Sequence, residues 1–122
     1  MAIANYFKSG DWKAEKHVPV ICIPEKVSSE ESFVVTVSIG DEIAHPNTLE
    51  HHISWIKLFF VQEGSTIPVE VADMKFGAHG ELDNLTEPYF AAKIKVSKPG
   101  KLVAMSYCNI HGLWENEVDV KF

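Results

Sequence analysis

The chain has 122 residues, the usual size of one domain, and 46% of its residues are hydrophobic while 23% are charged. This composition is typical of a soluble globular protein and excludes an intrinsically disordered one. The formal net charge is −6 without any run of Lys and Arg, so nucleic acid is not an expected partner. No apolar stretch is long enough to span a bilayer and no signal peptide is evident. We therefore expect a single domain over residues 1–122, with no membrane partner and a cytoplasmic location.

The elements predicted along the chain are almost all strands. A short helical turn is the only helical signal, over residues 6–14. Runs rich in β-branched and aromatic residues, separated by Gly- and Pro-containing turns, then predict strands over 32–39, 52–62, 68–76, 89–96, 101–107 and 115–122. Six or seven short strands predict an all-β fold, an immunoglobulin-like antiparallel β-sandwich of about seven strands with a short N-terminal extension.

Two side-chain placements follow from these strands. In the strand over 52–62, alternation places Ile53 and Trp55 on one face and Ile56 and Leu58 on the other. Cys22 lies in the apolar run 18–23 and is expected to be a small buried hydrophobic residue. A disulfide with Cys108 is not expected, because nothing in the sequence indicates export.

The most specific motif is Cys108-Asn-Ile-His111, which follows the strand over 101–107. A thiolate and an imidazole three residues apart can bind one metal from a single loop, although the spacing alone is a weak signal. Two upstream segments strengthen it: Glu15-Lys16-His17, and His45-Pro-Asn-Thr-Leu-Glu-His51-His52. Together the three segments predict a metal site with one thiolate and up to four imidazoles.

The remaining histidines are treated differently. His52 follows His51 in an extended segment and should point to the opposite face, so we predict that His51 is the ligand of the two. This choice would also leave Ile53 and Trp55 on the side of His51 as an apolar wall. His79 lies alone in a Gly-rich segment and is expected to be a surface histidine or one with satisfied hydrogen bonds in the core.

Zinc, copper and iron can each be compared with this predicted set of ligands. Structural zinc favours a closed tetrahedron, often with several thiolates, and only one thiolate is expected here. A cupredoxin-like copper protein for electron transfer is the main alternative, because such sites combine a small β-sandwich with an upstream His and a Cys–His loop. The copper alternative is weakened because no Met, the usual weak axial ligand of such sites, follows His111. Four imidazoles and one thiolate suit a redox-active iron with one open coordination position.

Three motifs in this order resemble the superoxide reductases, and more narrowly the single-iron neelaredoxin type related to the catalytic domain of desulfoferrodoxin. They are Glu15-Lys16-His17-Val18-Pro19, His45-Pro46-Asn47-Thr48 with Glu50-His51-His52, and Cys108-Asn109-Ile110-His111-Gly112-Leu113-Trp114. The resemblance covers residues 6–122. No CxxC motif precedes Glu15, so the four-cysteine iron centre of desulfoferrodoxin is expected to be absent.

The resemblance implies an enzyme that reduces superoxide to hydrogen peroxide at one mononuclear iron. The implied ligands are four equatorial imidazoles and one axial thiolate, namely His17, His45, His51, His111 and Cys108. It further implies that Glu15 binds the ferric iron and that Lys16 lies beside the open position, where it attracts superoxide and orients proton delivery. Backbone N–H groups near Cys108 are expected to donate hydrogen bonds to its sulfur. The implied partners are an electron donor such as rubredoxin and further copies of the chain, with a tetramer favoured.

Overall fold

Seven strands form two antiparallel sheets in the computed structural model, which describes residues 2–122. The strands are β1 Val20–Cys22, β2 Phe33–Ser38, β3 Ile53–Gln62, β4 Pro68–Lys75, β5 Tyr89–Ile94, β6 Gly100–Cys108 and β7 Gly112–Val120. One sheet has the order β1-β2-β5 and the other β4-β3-β6-β7. The predicted all-β sandwich is therefore confirmed, and the apolar run 18–23 contains the seventh strand.

The core lies between the two sheets and consists of the side chains that the strands of both sheets direct inward. Val35 and Val37 of β2 face Ile56 and Leu58 of β3 in one apolar cluster, and all four side chains have no exposed surface. Burial of each such aliphatic side chain stabilises the fold by about 1.5–3 kcal/mol. This core fixes the strand ends from which the polar loops extend.

β3 contains an irregularity that the predicted alternation missed. Ile53 pairs with Cys108 and Trp55 pairs with Tyr107, so two steps along β3 oppose one step along β6. Such a bulge changes the face of the sheet to which the side chains before it point, relative to those after it. Ile53 is consequently 3% exposed and packs in the core with Ile56. The prediction that Ile53 shares a face with Trp55 is wrong, and so is the apolar wall expected beside His51.

Cys22 is also placed differently from the prediction. Its neighbours Ile21 and Ile23 both pack against the core, so Cys22, between them, points to the opposite side of β1. The Cys22 thiol is exposed and free. The prediction of a buried Cys22 is wrong because the apolar run was read without the alternation of a strand.

The N-terminal extension is tied to the last strand of the larger sheet. A 3-10 helix, Ile3–Tyr6, begins earlier than the turn predicted over 6–14. After it, the Lys8 N–H donates to the Leu113 carbonyl at 3.0 Å, and the Glu115 N–H donates to the Lys8 carbonyl at 2.9 Å. The segment that leads to His17 is thereby held beside β7. Within residues 2–122, no helix is both long enough and apolar enough to cross a membrane.

Candidate metal centre

Four histidine rings from three separate segments meet at one end of the sandwich. His17 precedes β1, His45 and His51 lie in the connection between β2 and β3, and His111 lies between β6 and β7. The ring centroids of His17–His45, His45–His51, His51–His111 and His111–His17 are 4.8, 4.8, 5.0 and 4.8 Å apart. The His17–His51 diagonal is longer, at 6.5 Å. Four similar sides and a longer diagonal describe a nearly square arrangement.

The ring nitrogens differ in whether they have a hydrogen-bond partner. The His45 Nδ1–H donates to the Pro46 carbonyl at 2.7 Å, which leaves Nε2 of that ring without a proton. Nε2 of His45 and Nε2 of His51 are both buried and have no hydrogen-bond partner among residues 2–122. An unsatisfied buried polar atom costs about 1–3 kcal/mol. A metal ion bound to both nitrogens would satisfy them, so the residues present fit such an ion.

Cys108 brings a thiol to the same place. Its side chain is fully buried, and its sulfur lies 3.8 Å from Nδ1 of His111. The ligand atoms of Cys108, His17, His45 and His51 all lie within 4.8 Å of one another. The backbone N–H of His111 donates to the sulfur at 3.4 Å, which confirms the expected hydrogen bond to this atom. A donated hydrogen bond stabilises a thiolate and tunes a metal bound to it.

The loop 109–111 is short because the two flanking strands form a tight hairpin. Cys108 pairs directly with Gly112, and Gly112 has a φ of +81°, a conformation that favours glycine. The chain therefore reverses immediately after His111. Nδ1 of His111 lies 3.1 Å from Nε2 of His17, so the exposed His111 ring turns the nitrogen near its own backbone toward the site.

Glu15 contacts His17 on the side away from the other rings. Its Oε1 accepts a hydrogen bond from Nδ1–H of His17 at 2.6 Å and from the His17 backbone N–H at 3.1 Å. The hydrogen bond from the His17 side chain lowers the pKa of Glu15. In this structure Glu15 thus orients His17 and leaves Nε2 to face the centre. Its predicted binding to ferric iron stays a prediction.

The surroundings favour the neutral form of His17, His45 and His51. Burial lowers the pKa of His45 to about 4, and burial is also the largest cause of the lowered pKa values of His17 and His51. The ammonium group of Lys16 acts in the same direction on all three pKa values, which places a positive charge close to the site. Neutral imidazole is the form that binds metals.

Two residues that support the site were quoted in the sequence motifs without a role. Trp114 stacks on His17 with a centroid distance of 4.7 Å and an interplanar angle of 10°, and its Nε1–H donates to the His111 carbonyl at 3.3 Å. Asn109 accepts the His52 N–H at 2.8 Å and donates to the Glu50 carbonyl at 3.0 Å. The only sequence signal for either was its position within the Cys108–Trp114 motif.

His52 turns away from the four rings, as the predicted alternation requires. It stacks on His79 at a centroid distance of 3.6 Å and an interplanar angle of 7°. His79 is 7% exposed, and both of its ring nitrogens have hydrogen-bond partners. It is thus a core histidine with satisfied hydrogen bonds, one of the two expected outcomes for this residue.

The fold and the site together define a small β-sandwich metalloprotein with a candidate centre of histidine and cysteine. The desulfoferrodoxin family model matches residues 9–117. The chain belongs to this family, which confirms the resemblance drawn from the three motifs.

Individual relatives match over nearly their whole length. The chain is 54% identical over 114 residues to a superoxide reductase of Pyrococcus horikoshii, covering 93% of this chain and 95% of the relative. It is 46% identical over 123 residues to a neelaredoxin of Megalodesulfovibrio gigas, covering 95% of each chain. The solved structure of a superoxide reductase (neelaredoxin) from Archaeoglobus fulgidus in the reduced form matches with a TM-score of 0.88 at 45% identity. That match covers 96% of this chain and 99% of the other.

Proposed function

We propose that the chain is a superoxide reductase, an oxidoreductase that converts superoxide to hydrogen peroxide. The observation that carries the proposal is the square of four imidazoles beside a buried thiol, with two buried Nε2 atoms that lack a partner. Relatives named superoxide reductase match nearly the whole chain, which supports the same activity. The proposal treats residues 1–122 as one iron-binding domain.

The site is proposed to hold one mononuclear iron per chain. The proposed ligand atoms are Nε2 of His17, His45 and His51, Nδ1 of His111 and the sulfur of Cys108. When bound, the iron supplies the single electron that superoxide takes up and is then reduced again by a donor. The thiolate of Cys108 would hold the iron together with the four imidazoles.

Charged residues before His17 are proposed to guide the substrate. Superoxide is a small anion, and the ammonium group of Lys16 offers it a local positive potential in a chain with a formal net charge of −6. Lys16 is also a proton donor close to the proposed iron site. Two protons are needed there to form hydrogen peroxide from each superoxide. Glu15 accepts a hydrogen bond from Nδ1–H of His17 in this structure and is proposed to bind the ferric iron.

The reaction consumes one electron and two protons for each superoxide, so it needs an external donor. We propose a small one-electron carrier such as rubredoxin, for which the exposed edge of His111 offers an approach to the site. We also propose that the chain acts in the cytoplasm as a homo-oligomer, with a tetramer favoured.

The copper alternative is less well supported by the geometry. A blue-copper site uses two imidazoles, one thiolate and a weak axial ligand. Here four rings form a closed square, and a copper site built on Cys108, His111 and one upstream imidazole would leave at least one buried Nε2 without a partner. The ligand set therefore favours iron with an open position.

Metal analysis combined with rapid mixing tests the proposal. We expect about one iron per chain, and the reduced protein should consume superoxide and form peroxide without forming dioxygen. Cys108→Ser should abolish the thiolate absorption and most of the activity. The matched control Cys22→Ser changes an exposed thiol that is not among the proposed ligands and should alter neither. Copper or zinc in place of iron, or no superoxide consumption, would contradict the proposal.

A further inference from the structure

His79 lies behind the segment that carries two of the proposed ligands. We call residues 45–52 the ligand loop, because it begins at His45 and ends just after His51. His79 reaches this loop twice: its ring stacks on His52, and its Nδ1 lies 2.8 Å from Oδ1 of Asn47. On its other side, Nε2 lies 2.8 Å from the carbonyl oxygen of Phe76. His79 thus connects the ligand loop to the end of β4.

The hydrogen-bond pattern determines how many protons the His79 ring carries. The Phe76 carbonyl can only accept, so Nε2 of His79 must donate. Nδ2 of Asn47 lies 3.0 Å from the Thr86 carbonyl, which also can only accept. This contact fixes the Asn47 amide with its NH₂ group toward Thr86 and its oxygen toward His79. Nδ1 of His79 therefore faces an acceptor as well.

A neutral imidazole has only one N–H and cannot satisfy both acceptors. If the Asn47 amide were reversed to provide a donor, two oxygens would face each other at about the 3.0 Å now separating Asn47 from Thr86. We propose that His79 is a doubly protonated imidazolium that positions the ligand loop through Asn47. It is a positioning residue for the metal centre and contacts none of the proposed ligands.

The environment of His79 suits a buried cation. Two titratable groups face it: the ring of His52 and the carboxylate of Glu81. His52 donates Nδ1–H to the Thr48 carbonyl at 2.8 Å, and its ring face stacks on the His79 ring. Oε1 of Glu81 accepts the His79 backbone N–H at 2.7 Å and brings a negative charge beside the ring. A buried charge with a counterion and two hydrogen-bond acceptors is the form that proteins tolerate.

The consequence concerns the geometry of His45 and His51. Asn47 lies two residues after the first of them and four before the second, so a charge-assisted hydrogen bond at Asn47 anchors the loop between them. Outer partners of metal ligands typically change metal affinity by about 10–100-fold when they are removed. This step rests on the proposed function, because it takes both histidines as iron ligands.

Neutron diffraction from crystals of the iron-loaded protein at neutral pH tests the protonation state directly. We expect deuterium on both Nδ1 and Nε2 of His79, and the Asn47 amide deuterium atoms directed at Thr86. Deuterium on one ring nitrogen alone would overturn the proposal. This result does not depend on which metal is bound or on whether superoxide is the substrate, so it separates the two proposals.

Iron release from the reduced protein to excess chelator tests the positioning role. His79→Phe keeps a ring on His52 but removes both donors, and it should release iron roughly tenfold faster than the native protein at neutral pH.

Glu81→Gln keeps the accepted backbone hydrogen bond but removes the counter-charge, so it should also release iron faster at neutral pH. Glu87→Gln is the matched control on an exposed carboxylate of the same segment and should leave the release rate unchanged. The positioning role is refuted if His79→Phe releases iron at the native rate. Should that variant not fold, an unchanged release rate in Glu81→Gln refutes the role instead.

Discussion

At the scale of single residues, Glu15 and Lys16 are adjacent but have separable tasks. Glu15 contacts His17 through its carboxylate, whereas Lys16 acts on the site through its charge. A hydrogen bond is short-ranged and changes a ligand's orientation, while a charge changes the rate at which an anion arrives. The two roles therefore predict different kinetic signatures.

Glu15→Ala should leave the reduction of superoxide largely intact and change the absorption of the oxidised protein. The reduced site keeps its five proposed ligands, but the oxidised iron loses the proposed carboxylate. The measurement is the ferric spectrum as a function of pH, alongside the rapid-mixing rate. Glu15→Gln, which can still accept from Nδ1–H of His17, separates the loss of the hydrogen bond from the loss of charge. An unchanged ferric spectrum in the Ala variant would exclude Glu15 as a ligand.

Lys16→Ala should slow the bimolecular reaction with superoxide by about tenfold at low ionic strength and weaken its salt dependence. The reason is that the positive potential that draws in the anion is removed, while the proposed ligands remain. Rapid mixing over a series of salt concentrations provides the measurement. Lys13→Ala changes an exposed lysine three residues away, whose ammonium group lies over Trp12, and serves as the control. Equal salt dependence in the two variants would argue against steering by Lys16.

At the scale of elements, the centre depends on the contact between two loops. Asn109, in the loop between β6 and β7, accepts from the His52 N–H and donates to the Glu50 carbonyl in the ligand loop. The N–H of Asn109 also donates to the His52 carbonyl at 3.2 Å. The Cys108–His111 motif and the His45–His52 motif are therefore held together by hydrogen bonds as well as by any metal.

Asn109→Ala should destabilise the protein by about 1–3 kcal/mol, because it leaves the His52 N–H and the Glu50 carbonyl without their side-chain partner. Chemical denaturation of the metal-free protein measures this change without a contribution from iron. Asn84→Ala is the control, since Asn84 is exposed and its side chain donates to the carbonyls of Glu81 and Leu82 within its own turn. If both variants lost the same stability, the loop contact would not be the cause.

The elements also show how far the sequence could predict this protein. Strand positions followed from β-branched runs, and the ligand segments from the spacing of His and Cys, because both signals are local. The bulge at Ile53 could not be predicted, since it depends on the pairing of β3 with β6. The roles of Asn109 and His79 were also hidden, because each makes its decisive contacts with residues more than 25 positions away in the chain.

At the scale of the whole molecule, three imidazoles, the buried His17 and the half-buried His45 and His51, link folding to pH. The folded protein holds the pKa of His45 at about 4 and lowers the pKa values of His17 and His51, in each case chiefly through burial. In the unfolded chain these groups titrate near their ordinary value of about 6.5. Between these two limits the unfolded state binds more protons than the folded state.

The sign of the pH dependence follows from that difference. Stability rises with pH wherever the unfolded state binds more protons, so the metal-free protein should lose stability as pH falls from about 6.5 toward 4. The lowered pKa of Glu15, caused first by its hydrogen bond with His17, acts in the same direction. Denaturant unfolding of the metal-free protein at several pH values in this window measures the effect. His45→Gln removes the group with the largest lowering and should flatten the dependence, whereas His52→Gln, outside the square of rings, should not. A stability that stayed constant or increased on acidification would show that the imidazoles are not held neutral by burial.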